Sequence, residues 1–140
     1  EYRLAFQHLI YPMLDDRTCV VAEPNPVAGE FIWTAHNNRF GWTSLLGHQP
    51  GGPNVSPYAA AARASDLSGL PPAFIACPTL DLFIEEDIAY ATRLARAGVP
   101  VELHFYPGGF HGFDIFGGDA PISVRARRDS RDALRRALRP

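Results

Sequence analysis

The chain has 140 residues, 46% of them hydrophobic and 20% charged, with a formal net charge of −2. That is enough for one domain with its own core, while the weak charge gives no electrostatic footprint for nucleic acid or for an acidic membrane surface. No apolar run approaches the ~18 residues of a membrane span. Two cysteines, Cys19 and Cys77, form neither a metal spacing nor a framework, and no disulfide is expected between them. No charged-then-apolar leader pattern opens the sequence, and a cytoplasmic location is the default expectation.

Leu4 to Tyr11 is a nearly continuous apolar run closed by Pro12, which reads as an interior strand of a sheet. His8 within it is expected to be a hydrogen-bonded structural side chain. Asp15-Asp16-Arg17 follows as a charged loop expected to pin the backbone. A proline-bearing loop covers 18–29, and 31–46 reads as a helix weakened by Asn37, Asn38 and Gly41. Trp33, Phe40 and Trp42 mark that segment as a cover for something apolar, either a ligand pocket or the core. His36 and His48 have no partner at i,i+4, which argues against a metal site. Residues 47–57 are dense in glycine and proline, and Ser56 to Arg63 reads as a short capped helix with Pro57 at its first position.

The second half is more regular. Pro71 to Asp81 is an apolar run of the kind buried on both faces of a parallel sheet, and it ends on an acid. Cys77 is expected to pack there as a small apolar residue. Ile84, Ile88, Ala91, Leu94 and Ala95 keep helical spacing, with acids in the first turn, arginines in the last and Gly98 as the C′ residue. Val101 to Phe105 is a strand, and Tyr106-Pro107-Gly108-Gly109-Phe110-His111-Gly112-Phe113 is a glycine-rich turn at its end. Strand, helix, strand makes a βαβ unit, which brings Asp81 and His111 to the same edge of a parallel sheet, where ligand crevices lie. An Asp beside a His fixes its tautomer and stabilises its imidazolium, which is half of a nucleophilic triad. Pro121 to Leu138 is an amphipathic helix whose arginines are expected to form a solvated face.

Several stretches carry a family resemblance. Leu9 to Arg17, Asp66 to Ala73, Asp81 to Ala91, Ala97 to Leu103, Tyr106-Pro107-Gly108 and His111-Gly112-Phe113 resemble the hormone-sensitive-lipase-like carboxylesterases, a branch of the α/β-hydrolases. The resemblance implies that Asp81 is the triad acid and His111 the triad base. The family also carries a nucleophile in a G-x-S-x-G elbow and an HGGG-type oxyanion loop, and neither pattern occurs in these 140 residues. The expectation is therefore an α/β chain, residues 1–140 forming the C-terminal portion of an α/β-hydrolase fold with about three parallel strands and flanking helices. Its parent would hydrolyse a small-molecule carboxylic ester through a Ser–Asp–His acyl-enzyme, and this chain alone would be inactive. Trp33, Trp42, Phe113 and Phe116 are the candidate substrate-contacting residues. No cofactor or metal is implied. The first strand would expose a hydrophobic edge and favour self-association. The alternative is a small non-catalytic α/β module in which Asp81 and His111 form a structural pair beside a ligand crevice.

Overall fold

A computed structural model describes residues 4–139. Three parallel strands form its sheet: β1 (Gln7–Ile10), β2 (Ala73–Pro78) and β3 (Val101–Tyr106), in that spatial order. Ala73 pairs with Gln7 on one side and Val101 on the other, and the register runs to Pro78 opposite Tyr106. Every residue of β2 is buried, as its unbroken apolar sequence requires of a strand covered on both faces.

The alternation along β2 builds two cores. Ala73, Ile75 and Cys77 face Leu14, Leu67 and the apolar side of α2 (Ile84–Arg96), namely Ile84, Tyr90, Ala91 and Leu94. Phe74 and Ala76 face Tyr106, Phe113 of α3 (Phe113–Phe116), and Ala126 and Ala133 of α4 (Pro121–Leu138). A helix thus covers each face of the sheet, which is the layered α/β solution. A third cluster joins Trp42 of α1 (Ala35–Leu46) to Val55 and Ala60.

The long helices obey their sequence signals. Helix α2 opens on Glu85, Glu86 and Asp87 and closes on Arg93 and Arg96; exposed Glu85 and the two arginines complement the helix dipole. Gly98 takes φ +77°. The Val99 N–H returns to the Leu94 carbonyl and the Gly98 N–H to Ala95, a complete Schellman stop. On α4 the arginines form the expected solvated face, and three of them also reach the rest of the fold: Arg136 pairs with Glu102, Arg127 donates to the Asp114 carbonyl, and Arg125 lies over the Tyr106 ring at 5.3 Å.

Three elements differ from expectation. Strand β1 is shorter than Leu4 to Tyr11, while its place at the edge of the described sheet, half-buried, is the one expected for it in this chain. Its ladder begins where the Gln7 N–H reaches the Pro72 carbonyl; Pro71 and Pro72 have no N–H to extend pairing further back. Helix α1 starts at Ala35, capped by the Thr34 side chain on the Asn37 N–H, so residues 31–33 lie outside it. Ser56 to Arg63 is not a helix. Tyr58 N–H bonds the Ser56 hydroxyl, Ala60 turns extended, and only a 3-10 turn, Ala61–Arg63, remains. Tertiary demand explains the break, because Ala60 is drawn into the Trp42 cluster and Arg63 forms a two-pronged pair with fully buried Asp16 (2.6 and 2.9 Å).

Candidate active site

Because β2 and β3 are parallel and in register, their C-terminal turns emerge side by side, and backbone bonds stitch those turns together. Thr79 N–H bonds the Tyr106 carbonyl at 3.2 Å, Leu80 N–H bonds the Gly109 carbonyl at 2.9 Å, and Gly108 N–H reaches the Thr79 hydroxyl at 2.9 Å. Asp81 sits at the end of the first turn and is 1% exposed. Its Oδ1 accepts the Phe83 N–H at 3.0 Å, and its carbonyl accepts the Ile84 N–H at 3.2 Å where α2 begins. The carboxylate is therefore oriented before any partner is considered.

His111 stands on the second turn, followed by Gly112 at φ +78°. A side chain there would be strained in that conformation and would crowd the Phe116 ring at 2.9 Å. The His111 Nδ1 lies 2.8 Å from Asp81 Oδ2, so the neutral ring carries its proton on Nδ1 and leaves the Nε2 lone pair free. Among the described residues no group hydrogen-bonds Nε2, and 21% of the side chain remains exposed. Such an imidazole can take a proton from a nucleophile that approaches Nε2, while Asp81 balances the charge that develops.

Aromatic rings surround the imidazole. Trp33 stacks on it at 5.5 Å between centroids, Tyr11 meets it edge-on at 4.7 Å, and Phe83 does so at 5.7 Å. Tyr11 follows β1 with φ +34° and donates its hydroxyl to Asp114 Oδ1 at 2.8 Å. Burial, with help from Asp114 and Asp81, raises its pKa.

Of the residues singled out in the sequence, Asp81, His111 and Trp33 come together. Trp42 does not: it is fully buried with Val55 and Ala60, on the face of α1 it shares with Asn38 at i,i+4. Phe113 packs beneath the histidine turn in the α4-side core, whereas Phe116 is exposed beside Gly112. Tyr11 and Phe83 join Asp81 and Trp33 at the imidazole. Tyr11 could have been found by the reasoning that located Asp81, since it also stands just past the C-terminal end of a strand. His8 is held by the Ser130 hydroxyl at 3.0 Å, and burial lowers its pKa.

Two further carboxylates lie in the first turn of α2, with no mark in the sequence beyond acids at a helix start. Glu86 accepts the Leu14 and Asp15 N–H groups and the Thr18 hydroxyl, anchoring the loop after β1. Burial raises its pKa to about 7 against those donors. Asp87 is wholly buried; Cys77 Sγ lies 3.4 Å from its Oδ2, and its Oδ1 has no partner among the described residues. Burial, then the neighbouring Glu86, raises its pKa to about 9. No group of three metal-ligating side chains comes together among the described residues.

Comparison with known proteins gives a consistent result. The alpha/beta hydrolase fold family matches residues 1–115. Esterase LipI of Mycobacterium tuberculosis is 39% identical over 79 residues, an alignment covering 56% of this chain and 25% of that protein. Carboxylesterase NlhH of the same species is 40% identical over 82 residues, covering 59% and 26%. Among solved structures, Bacterial Heroin Esterase superposes with a TM-score of 0.86 at 39% identity, covering 98% of this chain and 44% of that one. Esterase LipW from Mycobacterium marinum gives 0.78 at 34% identity, covering 96% and 41%. The alignments span about a quarter of these curated relatives, and less than half of these solved chains.

Proposed function

This chain belongs to the α/β-hydrolase-fold family, in its hormone-sensitive-lipase-like branch, and from that premise we propose that it supplies the acid and the base of a carboxylic ester hydrolase. The observation that carries the reading is the Asp81–His111 pair at 2.8 Å with Nε2 unbonded among the described residues. His111 Nε2 takes the proton of a serine hydroxyl as its oxygen adds to the ester carbonyl carbon. The same proton passes to the departing alkoxide, leaving an acyl-enzyme. Water then repeats the addition with His111 as base, releasing the acid and restoring the serine. Asp81 holds the ring and offsets its positive charge throughout. The substrate class is a small-molecule ester, in keeping with relatives that are named esterases.

The serine would come from outside these 140 residues, since no G-x-S-x-G pattern occurs within them. The chain alone is then without serine-dependent turnover, because nucleophile and oxyanion donors carry most of the acceleration. The test is hydrolysis of a short p-nitrophenyl ester, run beside intact mass before and after a serine-reactive fluorophosphonate. The 140-residue chain is expected to show neither turnover nor adduct, and a longer protein bearing the elbow serine to show both, with turnover lost in His111→Ala. Turnover and one adduct on the chain alone would place the nucleophile within it and overturn the division of labour proposed here.

A further inference from the structure

Two energetically unfavourable features of this chain converge on one indole ring. The first is Ile32, a β-branched residue held at φ +63°, a conformation such residues avoid and that persists only where surroundings impose it. The surroundings are visible: Asn37 Nδ2 bonds the Ile32 carbonyl at 3.2 Å, the Trp33 N–H folds back to the Phe31 carbonyl at 2.7 Å, and Thr34 caps α1 immediately afterwards. The second is Asn38, an amide wholly buried inside α1. Its Oδ1 accepts the Trp33 indole N–H at 3.3 Å, while its Nδ2 is left without a partner among the described residues. A leucine in that place would incur no such cost. Beneath the indole, α1 carries Gly41, whose absent Cβ would stand 3.7 Å from Trp33 Cζ2. The ring thus lies against the helix on one side and on His111 on the other, its plane within 27° of the imidazole's.

We infer that the Phe31–Trp33 turn is a rigid clamp on His111, with Trp33 a positioning residue and Asn38 the anchor that sets its plane. The inference rests on His111 being the base of the proposed hydrolase. His111 stands on a turn rich in glycine and is tied down by one hydrogen bond, so Asp81 fixes one ring atom and leaves the ring free to tilt about it. Trp33 removes that tilt by contact with the face, and Tyr11 and Phe83 close the edges. An indole face also favours a cation over a neutral ring, so the clamp stabilises the imidazolium that proton transfer creates. The titratable groups facing the imidazole from the packed elements are Asp81, Tyr11 and, through the Tyr11 hydroxyl, Asp114.

The test is NMR of the His111 ring in the 140-residue chain, reading its Nδ1–H tautomer fraction and the exchange rate of that proton with water, with His111→Ala to assign the signal. Trp33→Leu is expected to let the tautomers mix and to speed exchange of the Nδ1 proton with water several-fold. Asn38→Leu should give a smaller change in the same direction, and Trp33→Phe an intermediate one. A Trp33 that only packs would cost stability and leave both readouts where they were, and that result overturns the clamp. Should Trp33→Leu fail to fold, Trp33→Phe and Asn38→Leu decide the question alone. In the serine-bearing protein, Trp33→Leu should lower kcat more than it changes KM. Failure of the hydrolase reading shows separately, as absence of serine-dependent turnover in the unaltered longer protein.

Discussion

Asp81 does two jobs with its two oxygens. Oδ1 takes the Phe83 N–H and so helps start α2, and Oδ2 takes the His111 Nδ1–H. Asparagine can keep the first bond, yet it offers no negative charge to the imidazolium and permits the wrong tautomer. Asp81→Asn in the serine-bearing protein should therefore fold normally and lose kcat/KM by roughly 10³–10⁴-fold, checked by steady-state kinetics beside a melting curve. Asp87 lies six residues on and is governed by burial instead. Its folded pKa of about 9 exceeds the ordinary carboxylate value of 3.8, so the folded chain keeps a proton that the unfolded chain releases. Its contribution to stability is present below ~pH 4 and is lost as pH rises toward and through about 9. Glu86, raised from 4.5 to about 7, adds to the same downward slope over the lower part of that range. Asp87→Asn should flatten the decline, matching the parent near ~pH 4 and exceeding it near ~pH 9, with urea midpoints as the measurement. Asp81 and His111 were legible because each ends a strand whose apolar run is plain in the sequence. Asp87 was not, because acids in a first helical turn are usually solvated, and only the packing of α2 on the sheet, with Cys77 Sγ 3.4 Å from its carboxylate, buries it.

At the scale of elements, the two helices with regular apolar spacing match their sequence signals closely, and α4 spans Pro121–Leu138 as read. Where tertiary contacts compete with local propensity, the local reading gives way. Ser56 to Arg63 is alanine-rich and still abandons the helix, since burying Ala60 and pairing Arg63 with Asp16 outweigh a turn or two of helical bonds. Gly41 illustrates the opposite balance. It sits inside α1, where glycine costs up to ~1 kcal/mol against alanine, and the space its Cβ would enter holds Trp33 only at ordinary contact distance. Gly41→Ala should raise stability by about 0.5–1 kcal/mol and leave the His111 signals unchanged, as judged by urea denaturation and by the NMR readouts described above.

For the whole molecule the consequential feature is the free side of β1. The Gln7 N–H goes to the Pro72 carbonyl just before β2 and the Tyr11 N–H to the Ala76 carbonyl within it, so the amides at His8 and Ile10, which alternate with them, face away from the sheet. With Phe6 and Ile10 only partly buried and Leu4 exposed, that side presents backbone without a partner among the described residues beside apolar surface. An edge of this kind recruits another strand. Static light scattering over a dilution series is expected to show concentration-dependent association of the 140-residue chain; a monomer at every concentration would contradict it.

The sequence by itself determined which segments become the covered strand and the long helices, because periodicity and end signals are local. It also determined that an acid and a histidine end neighbouring strands, because a βαβ unit leaves little choice about where those ends lie. What only the tertiary structure decided was the company those residues keep. Trp33 went to the imidazole and Trp42 to a separate core, although both sit in one aromatic-rich stretch. Trp33 precedes the helix on a turn with Ile32 at positive φ, while Trp42 follows the buried face that Asn38 begins. Nor could spacing reveal that Tyr11 would meet His111, a hundred residues away, since that contact exists only once β1 pairs beside β2. Contacts between distant segments depend on register and packing of the assembled sheet, and those are properties of the whole chain rather than of any window within it.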